Sequence, residues 1–402
     1  MNKKHVVVLS FGILFHVSGY YVLIKRIEPF QHFAYLIFWW SYIMVIDALV
    51  AARTSRFTVL NRGLPLLILV SSAFWCIFEI INVRLENWFY VNLPPHTVER
   101  WAGYGLAYGT VIPAIYGTRE LFHSLVGGIK VRSPGLKNYP SLATGWGLAA
   151  LVLTLLFPAY CFPLAWVFPL LILDGYNYRM GLPSFVGELE QGSARNLLAT
   201  LLSGLVCGLL WESWNFWSIA KWVYTVPFFE DFKIFEMPLP GYLGFPVFAL
   251  STIAFVNFFR NQPVVKSHLF VTASVSLAVS LLSFPLIDRY TAFSHVAEAS
   301  RLSFIEEGKR PVPQGGARRT SFAINPALLD EKERSTLDLI HLKGLGYARY
   351  TRLKDCGIDS VSALSQSDER TLSRILHEPN LRRIRVYLKA ARQAQSSQPR
   401  EQ

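Results

Sequence analysis

The chain has 402 residues, of which 52% are hydrophobic, 14% aromatic and only 16% charged. A soluble domain carries about 25% charged residues, so a single soluble enzyme domain does not fit, and disordered, collagen-like and disulfide-scaffold classes are excluded. The net charge of +12 divides into +7 from Arg289 onward (20 basic against 13 acidic) and +5 before it (19 against 14), while all 11 Trp lie before residue 223. The pattern is that of an all-α, polytopic transmembrane helix bundle followed by a basic, soluble helical tail.

A membrane span needs about 20 mostly apolar residues. Runs that qualify lie at about 5–24, 33–52, 64–85, 101–122, 143–160, 161–176, 194–219, 239–260 and 266–287, with Pro158 and Pro163 marking the break in the near-continuous pair. With a cytoplasmic N-terminus, thirteen Lys and Arg fall inside, among them Lys3, Arg53, Arg119, Arg195 and Arg260, and six outside: Lys25, Arg26, Arg84, Arg100, Lys221 and Lys233. That bias favours the orientation. Nine crossings would put the tail outside. The expected arrangement is eight full crossings and an internal tail, with the first or last run not spanning, in a bacterial inner membrane.

Residues 1–287 are thus expected to form the bundle, 288–330 a flexible Pro/Gly-rich linker, 331–392 a small helical domain and 393–402 a disordered end. Cys76, Cys161, Cys207 and Cys356 form no CxxC pair, and the nine His are scattered. No disulfide framework, metal site or cofactor is expected.

Two stretches of the membrane part read alike. Glu79, Asn82, Trp88, Tyr90 and Pro94 are followed by Gly103-Tyr104; Glu212, Asn215, Trp222, Tyr224 and Pro227 are followed by Gly241-Tyr242. Glu, Asn and Pro recur at an offset of 133. The preceding spans end in Asp47 with Arg53 and in Asp174 with Arg179. This order predicts a duplication: two four-helix repeats, about 5–124 and 143–260, with an extra helix at about 266–287. An even number of spans per copy makes the repeats parallel and places a shared cavity between them.

A carboxylate within a span faces protein or water rather than lipid. Glu79 and Asn82 share one helix face, as do Glu212 and Asn215. Glu79, Glu212, Asp47 and Asp174 are the candidate catalytic acids and bases. Asn82, Asn215, Trp211, Trp214, Trp217 and Tyr242 are the candidate substrate-binding residues, because ring faces would shield a carbocation or an organic cation. The bland alternative makes Asp47 and Asp174 partners of Arg53 and Arg179, and makes Trp and Tyr an interfacial belt. There is no Asp-Asp-x-x-Asp, His-Glu-x-x-His, Walker or Gly-x-Ser-x-Gly motif.

The segment Phe235-Glu236-Met237-Pro238-Leu239-Pro240-Gly241-Tyr242 resembles the Pro-x-Glu-Glu segment of the integral-membrane lycopene cyclase and carotenoid hydratase families. Gly241 and Tyr242 stand where those families have acidic residues. The resemblance implies isoprenoid chemistry. In the tail, Leu337 to Leu353, with Lys343-Gly344-Leu345-Gly346 at its centre and Ala348 beyond, resembles the helix-hairpin-helix family, and Gly357-Ile358 resembles the start of a second unit. By that resemblance Lys343, Gly344, Gly346, Arg349 and Arg352 would hold a DNA phosphate, although such units also serve as protein-packing modules.

Three functions follow as expectations. One is a lipid-phase enzyme, a cyclase, isomerase or hydratase of an isoprenoid or similar apolar lipid. Another is a proton- or cation-coupled transporter that uses the same carboxylates. The last is a membrane-anchored scaffold holding nucleic acid or a protein through residues 331–392.

Overall fold

The structure, a computed structural model, describes residues 2–135, 138–229, 232–302 and 319–396. In the membrane part the helices are α1 (Lys3–Lys25), α2 (Ala34–Thr54), α3 (Leu64–Leu85), α4 (Thr97–Tyr108), α5 (Val111–Leu125), α6 (Tyr139–Leu156), α7 (Pro158–Cys161), α8 (Phe168–Arg179), α9 (Phe185–Glu190), α10 (Arg195–Trp217), α11 (Gly244–Arg260), α12 (Pro263–Ser267) and α13 (Leu269–Tyr290). Two short strands, β1 (Trp88–Val91) and β2 (Lys221–Tyr224), follow α3 and α10. A second small pair, β3 (Lys233–Ile234) and β4 (Met237–Pro238), precedes α11. Among the described residues, eight helical segments are long and apolar enough to cross a membrane, so the chain is a multi-pass membrane protein.

The run expected at 101–122 is not one of the eight. It breaks between α4 and α5 at Gly109-Thr110. A Cβ on Gly109 would lie 2.7 Å from the Ile68 side chain, so the close approach of α3 requires glycine there. Pro113 cannot donate to a continuing helix. Ser71 of α3 compensates for the break: its hydroxyl donates to the Tyr108 carbonyl (2.7 Å) and accepts from the Ile112 N–H (3.0 Å). In lipid such freed backbone groups must be satisfied by neighbouring helices.

The broken pair still carries the chain from one end of the bundle to the other. α4 begins beside the last turn of α13, where Arg100 meets Asp288 at 2.7 Å. α5 ends beside the last turn of α2, where Arg53 donates to Ser124 (2.9 Å), and the first turn of α10, where Arg195 donates to the His123 carbonyl. The N-terminus and the tail therefore sit at opposite ends. Among the described residues, eight helical segments are long and apolar enough to cross, as expected in number; the first and last runs are among them, and the run expected at 101–122 is not.

At the tail end, β1 and β2 pair antiparallel, with Trp88 opposite Tyr224 and Tyr90 opposite Trp222. The segment expected to be a free linker adds to this ribbon. The Tyr90 N–H donates to the Thr291 carbonyl (2.8 Å), Phe293 N–H to Tyr90 (2.7 Å), Leu93 N–H to Ser294 (3.1 Å) and Val296 N–H to Leu93 (3.0 Å). Residues 319–329 are ordered too: Thr320 donates to the Glu28 carboxylate, and the Phe322 ring stacks on His341 at 4.0 Å. The middle of the linker, 303–318, lies outside the described residues.

The tail comprises α14 (Glu331–His341), α15 (Tyr347–Asp355), α16 (Val361–Ser365), α17 (Glu369–Leu376) and α18 (Leu381–Ser396). Asp330 and Glu333 form a capping box at the start of α14. The α14–α15 turn uses positive φ at Lys343, Gly344 and Gly346, with Leu345 fully buried beneath it. Of the end expected to be disordered, residues 393–396 continue α18 and 397–402 lie outside the described residues. One apolar core joins Leu339, Leu345 and Tyr387 of the tail to Phe89, Val91 and Val223 of the ribbon.

Gly344 shows how close that docking is. Its φ is +66°, and a Cβ there would sit 2.3 Å from the Val91 Cβ. Gly344→Ala is expected to destabilise the docked tail by about 1–3 kcal/mol, read as a lower thermal midpoint and faster hydrogen exchange in residues 347–396. Burial holds the His341 imidazole down to about pKa 4, assisted by Arg26. An exposed His titrates near 6.5, so the undocked tail takes up a proton first. Tail stability is complete above about pH 6.5 and falls as pH drops toward 4. Thermal unfolding across that window measures it, and His341→Gln removes that share of the pH dependence.

Candidate functional site

α3 and α10 each deliver a fully buried Glu and, one turn later, a fully buried Asn toward the tail end of the bundle. The asparagines fix the exit of the chain. Asn82 accepts from Asn87 N–H (2.9 Å) and Trp88 N–H (3.3 Å) and donates to the Trp88 carbonyl (2.9 Å). Asn215 accepts from Trp222 N–H (2.9 Å) and donates to the Trp222 carbonyl (2.9 Å). Each strand then doubles back so that its tyrosine meets the glutamate. Tyr90 donates to Glu79 Oε1 at 2.5 Å, and Tyr224 donates to Glu212 Oε1 at 2.8 Å. Trp75 and Trp88 add indole donors to Glu79 at 2.8 and 3.2 Å.

Strand alternation gives the ribbon two faces. Trp88, Tyr90, Trp222 and Tyr224 share the face turned into the bundle; Phe89, Val91 and Val223 share the face that carries the tail. Beneath the first face lies a cavity of about 390 Å³, roofed by those four residues and walled by Trp75, Trp166, Trp211, Phe245 and Phe248. Such a volume lies within the range of small-molecule sites. The carboxyls of Glu79 and Glu212 do not border it directly. They lie one layer back, each bonded to a tyrosine, Tyr90 or Tyr224, that lines it.

Most other expected site residues lie elsewhere. Asp47 accepts from the N–H groups of Thr58 (2.8 Å), Val59 (3.0 Å) and Leu60 (2.6 Å). Asp174 accepts from those of Phe185 (2.7 Å) and Val186 (3.3 Å), and from the Tyr139 hydroxyl (3.3 Å). Asp47 anchors the loop that follows α2 and Asp174 the first turn of α9, each starting eleven residues on, at the end of the bundle away from the cavity. The alternative pairing of Asp47 with Arg53 is also not made, since Arg53 bonds Ser124. Trp211 lines the cavity; Trp214 packs among Phe38, Trp39 and Tyr42; Trp217 is 63% exposed; the Tyr242 hydroxyl donates to the Ile234 carbonyl.

Of the expected phosphate-binding set of the tail, Lys343, Gly344, Gly346 and Arg349 face the protein's own bundle, whereas Arg352 is exposed and bonds within the tail. Lys343 donates to both Glu236 oxygens (2.7 and 2.9 Å), and the Gly344 carbonyl accepts from Ser294. Gly346 packs on Ser294. Arg349 lies over the Phe293 ring, 3.1 Å from its centre, and Arg352 donates to the Leu376 carbonyl (3.2 Å). Lys221 stands 3.7 Å from the same Glu236, and burial depresses its ammonium pKa against the pull of that carboxylate.

Sequence reasoning missed Tyr90 and Tyr224 as site residues, although both stand in the repeated pattern. It also missed the cluster in which Asp288 accepts from Arg100, Trp101 and Tyr104. Among the described residues, no group of three or more His, Cys, Asp or Glu is placed to hold a metal ion. Comparison with protein-family models, curated proteins and solved structures finds no match for this chain.

If Asp47 and Asp174 are loop anchors, Asp47→Asn and Asp174→Asn each lose charge-assisted bonds, at a cost of about 1.5–3 kcal/mol. The expected outcome is a lower melting temperature in detergent for each variant.

Proposed function

We propose that the protein is a membrane-embedded enzyme that acts on an isoprenoid or similarly apolar lipid by proton transfer. The observation that carries this reading is an aromatic cavity inside the bundle whose roof holds two tyrosines, Tyr90 and Tyr224, each bonded to a buried glutamate behind it. One pair supplies a proton to a substrate double bond. The π electrons form the new C–H bond and leave a carbocation, which the faces of Trp75, Trp166 and Trp211 stabilise. The other pair takes a proton from a neighbouring carbon, so protons balance and the product is an isomer or a cyclised form of the substrate. The matching Glu–Asn–Tyr contacts of the two halves support an origin by duplication.

General acid–base groups contribute about 10²–10⁴-fold to rate. Glu79→Gln and Glu212→Gln, singly and together, are expected to remove the product lipid and accumulate its precursor in whole-cell lipid profiles at unchanged protein levels. Tyr90→Phe and Tyr224→Phe weaken turnover less. A deletion strain whose lipid profile matches wild type would overturn the reading.

For the tail we infer an internal packing role. Lys343, Gly344, Arg349 and Arg352 are engaged with Glu236, Ser294, Phe293 and the Leu376 carbonyl, which supports that role over nucleic-acid holding. The odd number of passages, taken with basic loops at the N-terminal end, supports a tail on the non-cytoplasmic side of a bacterial inner membrane. Cys356 is exposed on the tail. A membrane-impermeant maleimide added to intact spheroplasts is expected to label it, and labelling only after lysis would reverse the orientation.

A further inference from the structure

Cations that face the bundle at its tail end are matched by acids: Arg100 by Asp288, and Lys221 and Lys343 by Glu236. A second cleft, of about 530 Å³, departs from that pattern. It lies where the end of α1 meets residues 319–326, and Lys25, Arg26, Glu28 and Arg319 line it together with Asn325 and Pro326. Its two walls thus come from the membrane part and from the segment that leads into the tail.

Arg26 is held by carbonyls and not by a carboxylate: its guanidinium donates to Phe322 (3.2 Å) and Ile324 (3.3 Å). Lys25 and Arg319 are exposed, and among the described residues neither pairs with an acid. The acid of the lining, Glu28, is already engaged. It accepts from the Gln31 amide (2.8 Å) and from the Thr320 N–H (3.1 Å) and hydroxyl. Three cations against one acid leave the lining with an excess of two positive charges. Like charges held together repel one another, and a cleft walled by one sign concentrates the opposite one. A guanidinium and an ammonium at one site suit phosphate oxygens.

The surface beside the cleft narrows the source of the anion. Val17, Tyr20, Tyr21 and Ile24 stand at i, i+3, i+4 and i+7 and so share one face of α1. All four are exposed, Ile24 by 76%. Lys25 lies one turn beyond Tyr21, beside that face. α1 is long and apolar enough to cross a membrane, so the stripe meets acyl chains and the cleft at its end sits at headgroup level, where tyrosines are common.

We infer that this cleft holds the phosphate of an anionic phospholipid from the leaflet on the tail side, between Lys25, Arg26 and Arg319, with the acyl chains along the Tyr21–Ile24 face of α1. The site is separate from the cavity beneath β1 and β2 and does not depend on any chemistry there. The test is native mass spectrometry of the full chain released from detergent, titrated with phosphatidylglycerol, with phosphatidylcholine and with glycerol 3-phosphate. A basic side chain near a membrane surface favours an anionic lipid about fivefold. Phosphatidylglycerol is therefore expected to bind about tenfold or more tighter than phosphatidylcholine. Lys25→Gln with Arg319→Gln is expected to bring that ratio toward one while phosphatidylcholine affinity stays as in wild type, which also shows that the variant folds. Arg56→Gln with Arg62→Gln, which removes two exposed cations between α2 and α3, is expected to leave the ratio as in wild type. Equal affinity of the wild type for the two lipids, or an equal fall of the ratio in both double variants, overturns the inference. Glycerol 3-phosphate binding as tightly as phosphatidylglycerol also overturns it, because the site would then take a soluble phosphate and not a lipid.

Discussion

A carboxyl group buried among transmembrane helices must be hydrogen-bonded by the protein, because the bilayer offers nothing else. That constraint organises this molecule. Glu79 and Glu212 can be buried near the ends of α3 and α10 only because the chain doubles back after each helix and returns a tyrosine to each carboxylate. Asn82 and Asn215 hold the two reversals in shape. The returning segments are β1 and β2, and their pairing ties the halves of the bundle together over the cavity. Removing either reversal would expose a charge, open the roof and separate the halves at once.

The same ribbon explains why the tail is part of the structure and not an appendage. Its outer face would leave Phe89, Val91 and Val223 exposed. The tail covers them, and the strand-like segment at 291–296 supplies the edge hydrogen bonds that β1 would otherwise lack. Glu236 links this layer to the cavity wall through Lys221 and to the tail through Lys343. The glycines that make the α14–α15 turn compact also let it lie against Val91 and Ser294.

Much of this was legible in the sequence, and what was not has identifiable causes. Long apolar runs gave the spans, and the spacing of Glu, Asn, Trp and Tyr singled out the two carboxylates. The break between α4 and α5 was hidden because it depends on Ile68 and Ser71 of another helix meeting Gly109 and Tyr108. Asp47 and Asp174 looked functional because an acid in an apolar run usually is; that their partners are backbone N–H groups of the segment that follows cannot be read from side-chain pattern. The turn at Gly344 to Gly346 was visible, but the direction it faces was not, since that is set by contacts with residues far away in the chain. Pairing of 291–296 with β1 escaped for the same reason: a polar, Pro/Gly-rich neighbourhood reads as a linker unless its distant partner strand is known.

The central claim is that the space beneath β1 and β2 is a lipid chamber and not an internal packing gap. The most direct measurement places a diazirine-bearing amino acid at Phe248, which lines that space, and irradiates cells expressing the full chain. Mass spectrometry of the purified protein is expected to find a membrane-lipid adduct at position 248, and none when the same group replaces Trp214, which is packed away among Phe38, Trp39 and Tyr42. Only intraprotein cross-links at position 248 would contradict the account.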